Sequence, residues 1–181
     1  MKKYQLIFIG LALFVLTANS WASENGHWWF ALDVGGTDLS YESPTLSDNE
    51  STFFMALRAG YEFNNRLKIG IETNGFLLES GNLWDTSKGE GISQKLLLTS
   101  EFFPIETNSW YLKLGLGWSS YWNNDQGFRQ SDTGAWLVGA GYEFDLMSNL
   151  KFAPFAEYHG GKVSQLDYDG LSIGSSFIWN F

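Results

Sequence analysis

The sequence predicts an all-β fold: an eight-stranded antiparallel up-and-down barrel that crosses a membrane. Three observations carry that prediction. From Trp28 to Phe181 one set of alternate positions carries no charge, and the charged residues fall between them. The alternation breaks into eight segments of roughly ten residues, the length a tilted strand needs to cross hydrocarbon. The connections between them alternate between short and long, so the short ones fall on one side of the membrane and the long ones on the other.

Residues 1–22 read as a signal peptide ahead of the fold. Lys2 and Lys3 give a positive start, Leu6 to Leu16 an apolar run, and Ser20-Trp21-Ala22 the small residues of a cleavage site. The barrel is expected over 23–181. Its first strand turns Trp28, Phe30, Leu32 and Val34 to one face and Asp33 to the other. The second presents Phe53, Met55, Leu57, Ala59, Tyr61 and Phe63 against Arg58 and Glu62. The third sets Leu67, Ile69, Ile71 and Thr73 against Lys68 and Glu72. The fourth sets Leu96, Leu98 and Phe102 against Lys95 and Glu101, and the fifth sets Trp110, Leu112, Leu114, Leu116 and Trp118 against Lys113. The sixth has Trp136, Val138, Ala140, Tyr142 and Phe144 against Glu143. The seventh has Leu150, Phe152, Ala156 and Tyr158 against Lys151 and Glu157, and the eighth has Leu171, Ile173, Phe177, Trp179 and Phe181. Short turns are expected at 64–66, 104–109 and 145–149, and long loops at 38–50, 79–91, 123–133 and 160–169.

Composition narrows the class. The mature chain keeps 9 basic and 20 acidic residues, which argues against nucleic acid and against a polybasic grip on anionic lipid. Charged residues are 17% of the chain, below the quarter usual for a soluble domain. With no cysteine, neither disulfides nor thiol chemistry is available. Aromatics cluster towards both ends of the strands. Trp28, Trp110 and Trp179 lie near the short turns, and Trp118, Trp136 and Tyr158 near the long loops, as interfacial girdles require.

Periodicity separates two faces without saying which is inside. A soluble lipocalin would turn the apolar face inward, and Gly26-His27-Trp28 matches its G-x-W triplet. Glycines on the charged face (Gly60, Gly70, Gly115, Gly117, Gly139, Gly141, Gly174) suit the crowded interior of a narrow barrel and favour the membrane reading.

The last strand, from Leu171 to Phe181, resembles the C-terminal signal of bacterial outer-membrane proteins. It ends in Phe181 with Trp179 and Phe177 at alternate positions upstream. The segments Tyr111–Trp118, Gly139–Phe144 and Leu150–Tyr158 resemble small barrels of the OmpA transmembrane-domain and opacity-protein type. That resemblance implies the outer membrane as location and the barrel-assembly machinery as reader of Phe177, Trp179 and Phe181. It implies outer-membrane lipid and lipopolysaccharide as surroundings, and an unknown surface partner. Members include adhesins, structural tethers, small channels and lipid A-modifying enzymes.

The inward charges, Asp33, Arg58, Glu62, Lys68, Glu72, Lys95, Glu101, Lys113, Glu143 and Glu157, are expected to form a paired polar plug rather than an ion path, because a narrow barrel is filled by side chains. Which cation meets which carboxylate depends on strand stagger. No catalytic set, cofactor or metal is expected. His159 reads as a rim residue. The deacylase pattern wants a serine two residues after the histidine, but Gly161 is there, and Ser164 would have to fold back. The loop carboxylates match no cation loop. The expected function is non-enzymatic action through the surface loops, in adhesion, interaction or envelope integrity. A lipid A hydrolase, a small pore and a soluble carrier are the alternatives.

Overall fold

A computed structural model describes residues 26–43, 46–78, 91–105, 109–123, 128–163 and 166–181. The strands are β1 (His27–Ser43), β2 (Leu46–Asn64), β3 (Leu67–Leu78), β4 (Gly91–Phe102), β5 (Trp110–Asn123), β6 (Phe128–Tyr142), β7 (Phe144–Met147), β8 (Leu150–Val163) and β9 (Leu166–Asn180). Each pairs antiparallel with its neighbour, and β1 pairs with β9. β6 and β7 are one stave interrupted at Glu143. Both pair with β8, so the sheet closes as an eight-stranded barrel. Closure leaves no strand edge within the wall, so every backbone N–H and C=O there finds a partner without water.

The apolar face points out. Leu98, Leu116 and Ile173 are 62%, 71% and 64% exposed, whereas Arg58, Lys113 and Glu72 are each 1% exposed. A soluble carrier has the opposite arrangement, so the lipocalin alternative is overturned. The aromatic rings form belts on this outer face. Trp110, Tyr142, Phe144, Phe152 and Phe177 make a chain of ring contacts at the short-turn end, with centroids 4.6–6.5 Å apart. Trp179 meets Phe30 at 6.0 Å and Trp28 meets Tyr61 at 5.3 Å in the same zone. At the other end Trp136 and Tyr158 touch at 5.5 Å, and Trp118 is exposed beside them.

The short turns are short. β2 reaches β3 through Asn65 and Arg66, where Asn64 Oδ1 accepts from the Arg66 N–H at 2.9 Å. The long loops are not where the sequence put them. The segments read as loops at 38–50, 123–133 and 160–169 are largely hairpin: β1–β2 pair as far as Ser43↔Leu46, β5–β6 as far as Asn123↔Phe128, and β8–β9 as far as Val163↔Leu166. Outward apolar residues stop partway along these strands, near the upper aromatic belt, and that change of composition resembles the end of a strand. The ladder itself needs no lipid and continues. β2, at 19 residues, is far longer than the roughly ten that span hydrocarbon. The 79–91 connection, except for Gly91, lies outside the described residues, as do Ser164 and the signal peptide.

Beyond the upper aromatic belt the wall divides. β2–β3 pairing ends at Phe54↔Phe76 and β6–β8 pairing at Ala135↔Gly161, while the other described pairings continue upward. The described hairpin end is therefore two four-stranded leaflets, β8-β9-β1-β2 and β3-β4-β5-β6.

Candidate functional site: the lumen

Asp33, Arg58, Glu62, Lys68, Glu72, Lys95, Glu101, Lys113, Glu143 and Glu157 are all inward and buried. They form three groups along the barrel axis. At the short-turn end Glu143, at the break between β6 and β7, accepts from Lys68 Nζ at 2.5 Å and Lys151 Nζ at 2.8 Å. Glu62 lies 3.6 Å from Lys68 and 3.1 Å from His27. Alternation along the stave already turns Glu143 inward, and at the break its backbone N–H is satisfied by Ser109 O at 3.0 Å.

The middle group is built on two cations. The Arg58 guanidinium donates from Nη2 to Asp33 at 3.1 Å and to Ser176 Oγ at 2.9 Å and from Nη1 to Glu101, and its Nε lies 2.6 Å from Asp33 as an ion pair. Lys113 Nζ lies 2.6 Å from Glu72 and 2.7 Å from Glu157. Asn74 Nδ2 donates to the other Glu72 oxygen at 2.8 Å. A planar five-donor fork suits several carboxylates at once, and burial without such partners would be costly.

The third group is nearer the hairpin end and contains the residue the sequence misplaced. His159 is not on the rim; it is 2% exposed. The reason is the continued ladder: β8 runs to Val163, so position 159 still faces the lumen. Its Nδ1 is 2.7 Å from Lys95 Nζ, its Nε2 is 2.8 Å from Ser172 Oγ and 3.3 Å from Thr37 Oγ1, and its ring stacks on Phe76 at 5.0 Å. Lys95 lies over the rings of Phe76 and Tyr168 at 4.5 and 4.9 Å, and among the described residues no carboxylate is within ion-pair distance of it. Ser172 on β9 is thus the hydroxyl at the histidine, a partner that reading along one loop could not find. A lysine ammonium can only donate. A charged Lys95 makes Nδ1 the acceptor and places the ring proton on Nε2, which then has no lone pair with which to deprotonate Ser172. A catalytic histidine has the reverse arrangement, with a carboxylate behind Nδ1.

The sequence also missed the apolar layers on either side of the middle group of charges. Towards the short turns, Trp29, Ala31, Phe103, Tyr111, Ala153 and Ile178 cluster inside the lumen. Towards the hairpins, Leu39, Phe54, Phe76 and Phe155 form a second layer, with Leu97, Ala135 and Leu137 beside it. The signal was present: Trp29 follows Trp28 and Phe54 follows Phe53, so one of each pair had to face inward. Glycines make room for the rings. A Cβ on Gly60 or Gly70 would come within 2.8 Å of the Trp29 indole, and one on Gly141 within 2.4 Å of the Tyr111 hydroxyl. A Cβ on Gly115 would come within 2.8 Å of Leu137 and 3.2 Å of Thr99, so this part of the charged face meets apolar atoms. Among the described residues no group of His, Asp and Glu has the clustering to hold a metal ion.

No family model matches the sequence, and no curated protein matches it. Solved structures do. Neisserial surface protein A, from Neisseria, is similar over 84% of this chain and 97% of its own, at 13% identity and a TM-score of 0.60. Ail, the attachment invasion locus protein of Yersinia pestis, matches over 83% and 98% at 18% identity and 0.49. OprG, an outer membrane protein of Pseudomonas aeruginosa, matches over 86% and 96% at 10% identity and 0.46. The chain has the fold of the small eight-stranded outer-membrane barrels.

Proposed function

We propose that this is an integral outer-membrane protein with a closed lumen, acting without catalysis through its exterior hairpins in interaction, adhesion or envelope integrity. The observation that carries the reading is the ion network enclosed between two apolar layers. Water and ions would have to pass the Trp29–Ile178 cluster, the Arg58 and Lys113 groups and the Phe54–Phe155 layer in turn. A filled eight-stranded interior leaves the long hairpins as the surface on which a partner can act. The fold's neighbours and the two aromatic belts support the outer membrane as location, with the barrel-assembly machinery and lipopolysaccharide as its surroundings. Against a lipid A hydrolase stand the Lys95 contact at His159 Nδ1 and the burial of Ser172.

The test is reconstitution. In planar bilayers the wild type is expected to conduct negligibly, and its expression is expected to leave lipid A mass unchanged. Replacing residues 41–48 by a two-residue turn should remove the surface phenotype and preserve the heat-modifiable barrel. A steady conductance, or loss of an acyl chain from lipid A that His159→Ala abolishes, would overturn the reading.

A further inference from the structure

Most of the described glycines have a reason inside the protein. At Gly35, Gly60, Gly70, Gly117, Gly139, Gly141 and Gly174 an added Cβ would come within 3.0 Å of another atom. Gly134 has room, but its φ of 103° accounts for it. Gly36 has neither reason: the nearest atom to its Cβ would be Thr52 O at 4.0 Å, and its φ is ordinary. It points outward, directly opposite Phe53 on β2 and Ile173 on β9, both large and exposed.

The missing side chain leaves a groove of about 420 Å³ on the outer wall, with Leu171, Ile173 and Phe53 as its apolar sides. One outward position nearer the hairpin tips is Asp38, exposed and accepting from Ser51 Oγ at 2.5 Å. The groove therefore runs from a carboxylate at the edge of the lipid band down into the apolar face. Apolar surface inside that band is covered by hydrocarbon, and the Asp38 carboxylate, with one oxygen on Ser51, has acceptor capacity left for a second donor.

We propose that Gly36 is the floor of a seat for one acyl chain of an outer-leaflet glycolipid, with an amide N–H or hydroxyl of that chain donating to Asp38. An ester-linked phospholipid chain has no donor at this depth, which is why the glycolipid is the occupant. The seat rests on the outer-membrane placement proposed above, which carbonate extraction of membranes tests separately.

The experiment is native mass spectrometry of the protein taken from outer membranes in mild detergent. The wild type should retain one glycolipid molecule. Gly36→Ile fills the notch with a good strand former and should lose that species while keeping its heat-modifiable migration on gels. Asp38→Asn should retain less of it than the wild type. Equal retention by Gly36→Ile overturns the proposal, as does a wild type that carries no lipid or only phosphatidylethanolamine. If Gly36→Ile does not assemble, Asp38→Asn decides: retention equal to the wild type overturns the proposal and reduced retention sustains it.

Discussion

Lys113 and Lys95 are buried equally deeply in the same lumen, yet they are satisfied by different chemistry. Lys113 is held between Glu72 and Glu157, with Asp33 at 4.0 Å. Lys95 has an imidazole nitrogen and two aromatic faces. The first arrangement couples the cation to charges that cannot be left alone. In the second, the imidazole and the rings remain neutral when the lysine is taken away. The same residue type at the same burial should therefore differ widely in what its removal costs.

The comparison can be broken most forcefully at Arg58. Arg58→Met strands Asp33 and Glu101 together and should destabilise the refolded barrel by about 3–5 kcal/mol in urea titrations. Lys113→Met should fall in the same range for the same reason. On the outer wall Leu114→Arg should cost roughly 2–4 kcal/mol, since position 114 is on the exposed apolar face that the proposed outer-membrane placement puts in hydrocarbon. A harmless Leu114→Arg would mean the wall is not in lipid. Next comes the ring packing: Gly70→Val should cost about 1–3 kcal/mol by overpacking against Trp29. Trp29→Phe should recover part of that loss in a double-mutant cycle; strict additivity would separate the two residues. The smallest effect belongs to Lys95→Met, expected well below Lys113→Met because no carboxylate is orphaned. Nitrogen NMR on the wild type sharpens the point: the His159 proton should be found on Nε2, and a proton on Nδ1 would refute the donor role of Lys95.

What was legible in the sequence follows from the period of two. Every outward residue named from Leu32 to Trp179, and every inward charge, sits on the face that alternation assigns, because a one-residue slip would expose all the charges to lipid. The ion pairs were not legible. Arg58 with Glu101 and Lys113 with Glu157 join strands whose stagger is a property of the closed barrel rather than of any one segment. The lumen aromatics were overlooked because the inward face was recognised by its charges, and Trp29, Phe54 and Phe76 carry none. His159 was misjudged for a different reason. Gly160 and Gly161 read as loop, but both are paired within the ladder, opposite Asp169 and Tyr168.

The division of the hairpin end into two leaflets has a mechanical consequence. Each seam ends on an apolar step: Phe54↔Phe76 at one, Ala135 beside Leu137 at the other. A partner that levers the leaflets apart meets hydrocarbon side chains at the root of the crack, and those same side chains roof the salt-bridged middle. The exterior can therefore bend under load while the charges beneath stay dry.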